Sequence, residues 1–97
     1  MILSFKNKAT EDIFNGKGTK AALKLCPVSL WRHASRKLDQ LDSVAALVEL
    51  RIPPGNHLEA LSGERNGQYS IRINRQYRIC FSWSASGPKN IEIVDYH

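Results

Sequence analysis

Apolar residues recur at three- and four-residue steps through the first half of the chain and at every second position from Leu58 onward. That change of period predicts helices followed by strands. Val28, Trp31, Ser35, Leu38 and Leu41 form one stripe, with Arg32, Arg36, Lys37 and Asp39 largely on other faces. The spacing predicts an amphipathic helix with Pro27 in its first turn, where a missing N–H costs little. Trp31 reads as a core anchor of that helix and His33 as a surface or packing residue. A shorter helix is expected earlier, starting where Thr10 precedes Glu11 and Asp12, acids favoured by the helix dipole. The breakers Asn15-Gly16-Lys17-Gly18 end it. Ile2–Phe5 alternates weakly and is expected to be a short first strand, and Ser43 to cap a last helical turn over Val44–Leu47. The run Ile52-Pro53-Pro54-Gly55-Asn56 forbids regular structure and marks the switch to strands.

Beyond that switch, Tyr69, Ile71 and Ile73 alternate with Ser70, Arg72 and Asn74, and Tyr77, Ile79, Phe81 and Trp83 with Arg78, Cys80 and Ser82. Ile91 and Ile93 continue the pattern after a turn at Ser86-Gly87-Pro88. Antiparallel strands with one buried face are predicted. Their register follows from burial. A two-residue loop at Arg75-Gln76 would mix polar and apolar faces, whereas a three-residue loop, Asn74-Arg75-Gln76, pairs Ile73 with Tyr77 and Ile71 with Ile79. The second register sets Arg72 opposite Arg78 on the other face. Like charges so placed repel, and they invite an anion between them, with phosphate the natural candidate. The other reading is neutralisation by an acid such as Glu92 on the neighbouring strand.

The length, 97 residues, suits one domain spanning 1–97 and is too short for two, and a hydrophobic fraction of 42% suits a folded chain. No apolar run approaches the roughly 18–20 residues that span a bilayer, and the N-terminal apolar stretch is too short for a signal peptide. A cytoplasmic location without membrane partners is therefore expected. Cys26 and Cys80 lack metal-ligand spacing and read as half-buried structural thiols. The formal charge of +5 is unevenly spread: Arg65, Arg72, Arg75 and Arg78 fall in one stretch with Tyr69 and Tyr77 and no acid. Such a stretch can bind phosphates and stack bases.

The chain closes on Asp95-Tyr96-His97. An acid, a phenol and an imidazole beside two arginines suit phosphodiester cleavage in RNA. One group removes the 2′-OH proton, another protonates the leaving 5′-oxygen, and fixed positive charge stabilises the crowded phosphate. His97 fits the role of base or acid because imidazole titrates near pH ~6.5. Asp95 would orient it, and Tyr96 would stack on a base or share in proton transfer. The three histidines have no metal-ligand spacing, so neither a metal nor another cofactor is expected.

Taken together, the opening ILSFKNKATEDIFNG, the segment RIPPGNHLEALSGERNGQYSIRINRQYRICFSW and the terminal IEIVDYH resemble the HigB-type toxins of bacterial type II toxin–antitoxin pairs, within the RelE/ParE superfamily. The resemblance implies a compact α+β domain, its N-terminal helices packed on an antiparallel β-sheet. It implies an endoribonuclease that enters the ribosomal A site and cuts translated mRNA without a metal. It also implies a cognate, HigA-like, DNA-binding antitoxin. Asp95, Tyr96 and His97 match the family's catalytic ending, and Arg78 matches the arginine of its W/Y-R-I strand. Arg72, Arg75, Arg65, Lys6 and Lys8 are expected to bind RNA phosphates, and Lys17, Lys20 and Lys24 to add basic surface toward the ribosome. Where well-studied members carry LHPLKG, this chain reads LEALSG, so Glu59 replaces the catalytic histidine and Ser62 the lysine. Glu59 could serve as general base. His57, two residues earlier and on the same side of an extended strand, could also substitute. The same fold supports two alternatives: a ParE-like gyrase inhibitor without a nuclease site, and an RNA- or ribosome-binding module without catalysis.

Overall fold

A computed structural model describes residues 1–96. Three α-helices occupy the first half: α1 (Lys8–Phe14), α2 (Lys20–Leu25) and α3 (Trp31–Ser43). Four strands follow, β1 (Glu59–Ala60), β2 (Gln68–Arg72), β3 (Tyr77–Ser84) and β4 (Gly87–Asp95), each antiparallel to the next in the order β1-β2-β3-β4. This is the α+β arrangement expected, with helices on one face of an antiparallel sheet. Ile13, Leu38, Leu41 and Leu50 from the helical half meet Ile71, Ile79, Phe81, Ile91 and Ile93 in the core. Among the described residues no helix is long and apolar enough to cross a membrane.

The helix ends depart from the sequence reading. Asn7, not Thr10, caps α1, its side chain accepting from the Thr10 amide at 2.9 Å. Thr10 lies inside the helix, fully buried, and its hydroxyl accepts the Ile93 amide of β4 at 3.1 Å. Asn15 ends α1, and Gly16 follows at φ 72, the left-handed conformation that glycine adopts freely. Helix α2 had no periodic signal, because Ala22 is its one fully buried residue; Thr19 caps it. The Thr19 hydroxyl also donates to Asp12 Oδ2 at 2.7 Å, while Lys8 donates to Asp12 Oδ1 at 2.8 Å. These two donors, the lysine first, hold the Asp12 carboxyl below its ordinary range.

Helix α3 begins at Trp31 rather than Pro27, since Val28–Leu30 forms a 3-10 turn with Val28 exposed. Its buried stripe is Ala34, Leu38 and Leu41. Trp31 is half-buried against the core and donates Nε1–H to the Cys26 carbonyl at 3.0 Å. Ser43 closes α3 instead of opening a new turn; the next turn is 3-10, at Leu47–Arg51, where Glu49 accepts the amides of Ala45 and Ala46. Cys26 and Cys80 are free and fully buried rather than half-buried, and burial pushes both thiols up.

Ile2–Phe5 forms no strand. It runs alongside β4, bridging once in parallel at Phe5–Ile91, with Leu3 N–H on the Pro88 carbonyl and Lys6 N–H on the Ile91 carbonyl. Gly87 permits that approach: at φ 132, a Cβ there would stand 2.6 Å from the Met1 carbonyl oxygen. The β3–β4 turn falls at Ala85-Ser86, one position earlier than expected, with Ser84 paired to Gly87 and Pro88 inside β4. Proline is tolerated there because β4 is an edge strand of the sheet. The β2–β3 hairpin has the register that burial dictates, Ile71 opposite Ile79 and Arg72 opposite Arg78. Its loop is Asn74-Arg75-Gln76, closed by Ile73 N–H on the Tyr77 carbonyl at 2.9 Å. Asn74 Oδ1 stabilises the turn by accepting the Gln76 and Tyr77 amides.

Candidate functional site

Because Ile71 and Ile79 face the helices, their neighbours Arg72 and Arg78 face away from the core. Three further segments converge on that pair: His57 and Glu59 before and in β1, Asn74 and Arg75 from the hairpin loop, and Tyr96 just past β4. Together they line an open pocket of about 380 Å³ in which, among the described residues, three arginines face the carboxylate of Glu59.

The Arg78 side chain is only 12% exposed. Its Nε donates to Ser70 Oγ at 2.8 Å and its Nη2 to the His57 carbonyl at 2.5 Å. Glu59 Oε1 stands 3.9 Å from Nη2, an ion pair beyond hydrogen-bond length, and the Tyr96 ring lies 5.9 Å from Cζ. A guanidinium carries five N–H donors in a rigid fork, so two structural bonds fix its plane and still leave donors for an anion. Ser70 is fully buried. Alternation placed it on the polar face, but nothing in the sequence revealed that Arg78 reaches it.

His57 and Glu59 both line the pocket, though not by the route expected. His57 is left-handed, at φ 46 and ψ 55, closing a 3-10 turn at Pro54–Asn56; it is not in an extended strand, so two-residue periodicity does not relate it to Glu59. That turn also gives regular structure to a segment read as irregular. Its buried Asn56 had no signal beyond turn propensity.

The chain's last residues divide between the two faces of the sheet. Tyr96 lines the pocket, whereas Asp95 pairs with Tyr77 on the helix-facing side and accepts from Gln76 Nε2 at 3.0 Å. Burial, with the Asp95 charge adding to it, pushes the Tyr77 hydroxyl up. His97 lies outside the described residues.

Arg65, Lys6 and Lys8, also expected to bind RNA phosphates, are engaged elsewhere. Arg65 Nη1 binds Glu92 Oε1 at 2.8 Å and Lys6 Nζ stands 3.7 Å from the same oxygen, while Lys8 pairs with Asp12. Glu92 is therefore shared by Arg65 and Lys6 and is not placed against the Arg72/Arg78 pair. Arg72, Arg75 and Arg78 are the basic residues that the fold brings together. The pocket can chelate a phosphodiester through guanidinium forks, stack a base on Tyr96, and exchange protons through His57 and Glu59.

The model for the RelE-like toxin of the HigB type II toxin–antitoxin system matches residues 3–97. Toxin HigB-1 of Vibrio cholerae serotype O1 is 42% identical over 83 residues, which are 86% of this chain and 84% of that protein. An uncharacterized protein of Haemophilus influenzae is 38% identical over 65 residues, 67% of this chain and 64% of its own length. Among solved structures, a chain of the YoeB–YefM complex from Staphylococcus aureus superposes with a TM-score of 0.56, covering 100% of this chain and 95% of its own. At 20% identity that is a likeness of fold.

Proposed function

The chain belongs to the HigB family of RelE-like toxins of type II toxin–antitoxin systems, and from that premise we propose that it is a ribosome-dependent endoribonuclease cutting translated mRNA in the A site. The observation that carries this reading is the pocket itself: three arginines, two groups able to exchange protons and an aromatic ring converge on one exposed sheet face.

In the proposed reaction the 2′-oxygen attacks phosphorus as the P–O5′ bond breaks, leaving a 2′,3′-cyclic phosphate and a 5′-hydroxyl. Arg78, already held by Ser70 and His57, grips the scissile phosphate, and Arg72 across the hairpin shares the charge that develops on its oxygens. Glu59, beside Arg78, takes the 2′-OH proton. His97, with His57 as its alternative on the pocket rim, protonates the departing 5′-oxygen, and Tyr96 stacks on a flanking base. Asp95, on the opposite face of the sheet, accepts from Gln76 of the hairpin loop and so helps hold the end of β4 from which Tyr96 and His97 follow. Lys17, Lys20 and Lys24, all exposed, add charge toward ribosomal RNA. The partners are the ribosome with its mRNA and a cognate HigA-like, DNA-binding antitoxin, in the cytoplasm.

Primer extension on mRNA from bacteria expressing the untagged protein tests this. Wild type should give cuts inside translated codons, and His97→Ala should lose most of them. Growth arrest with intact transcripts would instead indicate gyrase inhibition or passive ribosome binding, which a supercoiling assay separates.

A further inference from the structure

Asn56 is fully buried, and both ends of its amide are occupied. Its Nδ2 donates to Gln40 Oε1 at 2.9 Å and to the Leu50 carbonyl at 3.0 Å, and its Oδ1 accepts from Lys37 Nζ. Gln40 and Lys37 belong to α3, so one side chain ties the segment before β1 to the helical layer. Burial pushes the Lys37 ammonium below the ordinary lysine range, and its Nζ donates to Asn56 Oδ1. The residue that follows is His57, left-handed, whose carbonyl accepts Arg78 Nη2 at 2.5 Å. A continuous path thus runs from α3 through Asn56 and the His57 backbone to the guanidinium on the opposite face of the sheet.

We propose that Asn56, braced by Lys37 and Gln40, is a positioning residue that aims Arg78 into the pocket by fixing the His57 carbonyl. The proposal rests on the reading of that pocket as an anion site. Asn56 touches no substrate; it acts through His57 on Arg78. A wrongly tilted guanidinium keeps its charge but loses the two-point geometry that grips a phosphate. Hydrogen bonds in such a path are coupled, so the effect of Asn56 must depend on Arg78 being present.

The full chain can be titrated with inorganic phosphate while the ¹⁵N–¹H signal of Arg78 Nε is followed by NMR, identified by its loss in Arg78→Ala. Asn56→Ala should weaken phosphate binding by about tenfold and Lys37→Met by roughly threefold, each moving the Nε signal toward that of a solvated arginine. Placed on Arg78→Ala, neither substitution should weaken binding further. Folded Asn56→Ala and Lys37→Met proteins with an unmoved Nε signal and wild-type affinity would overturn the proposal, as would equal losses with and without Arg78. Should Asn56→Ala fail to fold, Lys37→Met decides alone, because it removes one contact and leaves the Asn56 amide in place. A wild type that binds no phosphate would defeat the anion reading of the pocket; the Nε signal of Lys37→Met would still decide whether Asn56 positions Arg78.

Discussion

At the scale of single residues, the site depends on Arg78 being held before any substrate arrives. Two of its donors are fixed by Ser70 and the His57 carbonyl, so an incoming phosphate need not order a long side chain. Arg78→Lys keeps the charge and loses the fork; phosphate affinity, followed by titration, should fall by about tenfold. Glu59→Gln separates binding from chemistry. Removing a carboxylate 3.9 Å from Nη2 should tighten anion binding severalfold, while single-turnover cleavage slows by roughly 10²–10⁴-fold if Glu59 takes the 2′-OH proton. Unchanged cleavage would assign the base elsewhere. The Arg72/Arg78 pair was legible in the sequence because register in a half-buried hairpin is set by the apolar residues between them. Ser70 and Asn56 were not. Alternation reports which face a polar residue occupies, but not which distant chain segment reaches it.

Among the elements, the strands were read more accurately than the helices, for a physical reason. The sheet buries one face continuously, and a period of two survives in the sequence. The helices bury narrow stripes, and their ends are set by caps that compete: Asn7 and Thr10 are both good caps, and the choice fell to Asn7 because Thr10 bonds β4. Helix α2 is held partly by the clasp of Asp12 with Lys8 and Thr19, which no periodicity reveals. Because the Asp12 carboxyl titrates below its ordinary value, the unfolded chain takes up that proton first as pH falls. The clasp therefore stabilises fully above about pH 4 and is lost progressively below it. Asp12→Asn should lower the Tm at pH 7 and flatten its decline between about pH 4 and 2 in a thermal melt series. In the core, Leu38→Ala should cost about 2–5 kcal/mol by denaturant unfolding, since Leu38 is fully enclosed between helices and sheet.

Over the whole molecule, the two layers divide the work. The helices and the inner face of the sheet share the core, the helical layer adds a brace through Asn56, and the outer face of the sheet presents the arginines. Charge is partitioned in the same way. Arg65 and Lys6 share the one carboxylate of Glu92 and Lys8 pairs with Asp12, so these three cations sit in ion pairs away from the pocket. Long-range attraction to RNA falls to the exposed lysines around α2, and should be salt-sensitive, whereas the pocket's grip on one phosphate should depend less on salt. The composition alone pointed only to an anionic partner; the folded hairpin turns four scattered arginines into three that converge and one that is paired off.

The most direct test of this account uses purified, untagged protein and ribosomes programmed with a defined mRNA, with the new RNA ends mapped and ribosome binding measured in parallel. Wild type should cut within the A-site codon and leave a 2′,3′-cyclic phosphate, and Arg78→Ala should cut at least about a hundredfold more slowly while still binding ribosomes. Equal cleavage by the two proteins, or ribosome binding by wild type with no cut at all, would contradict the claim that this pocket is a nuclease site.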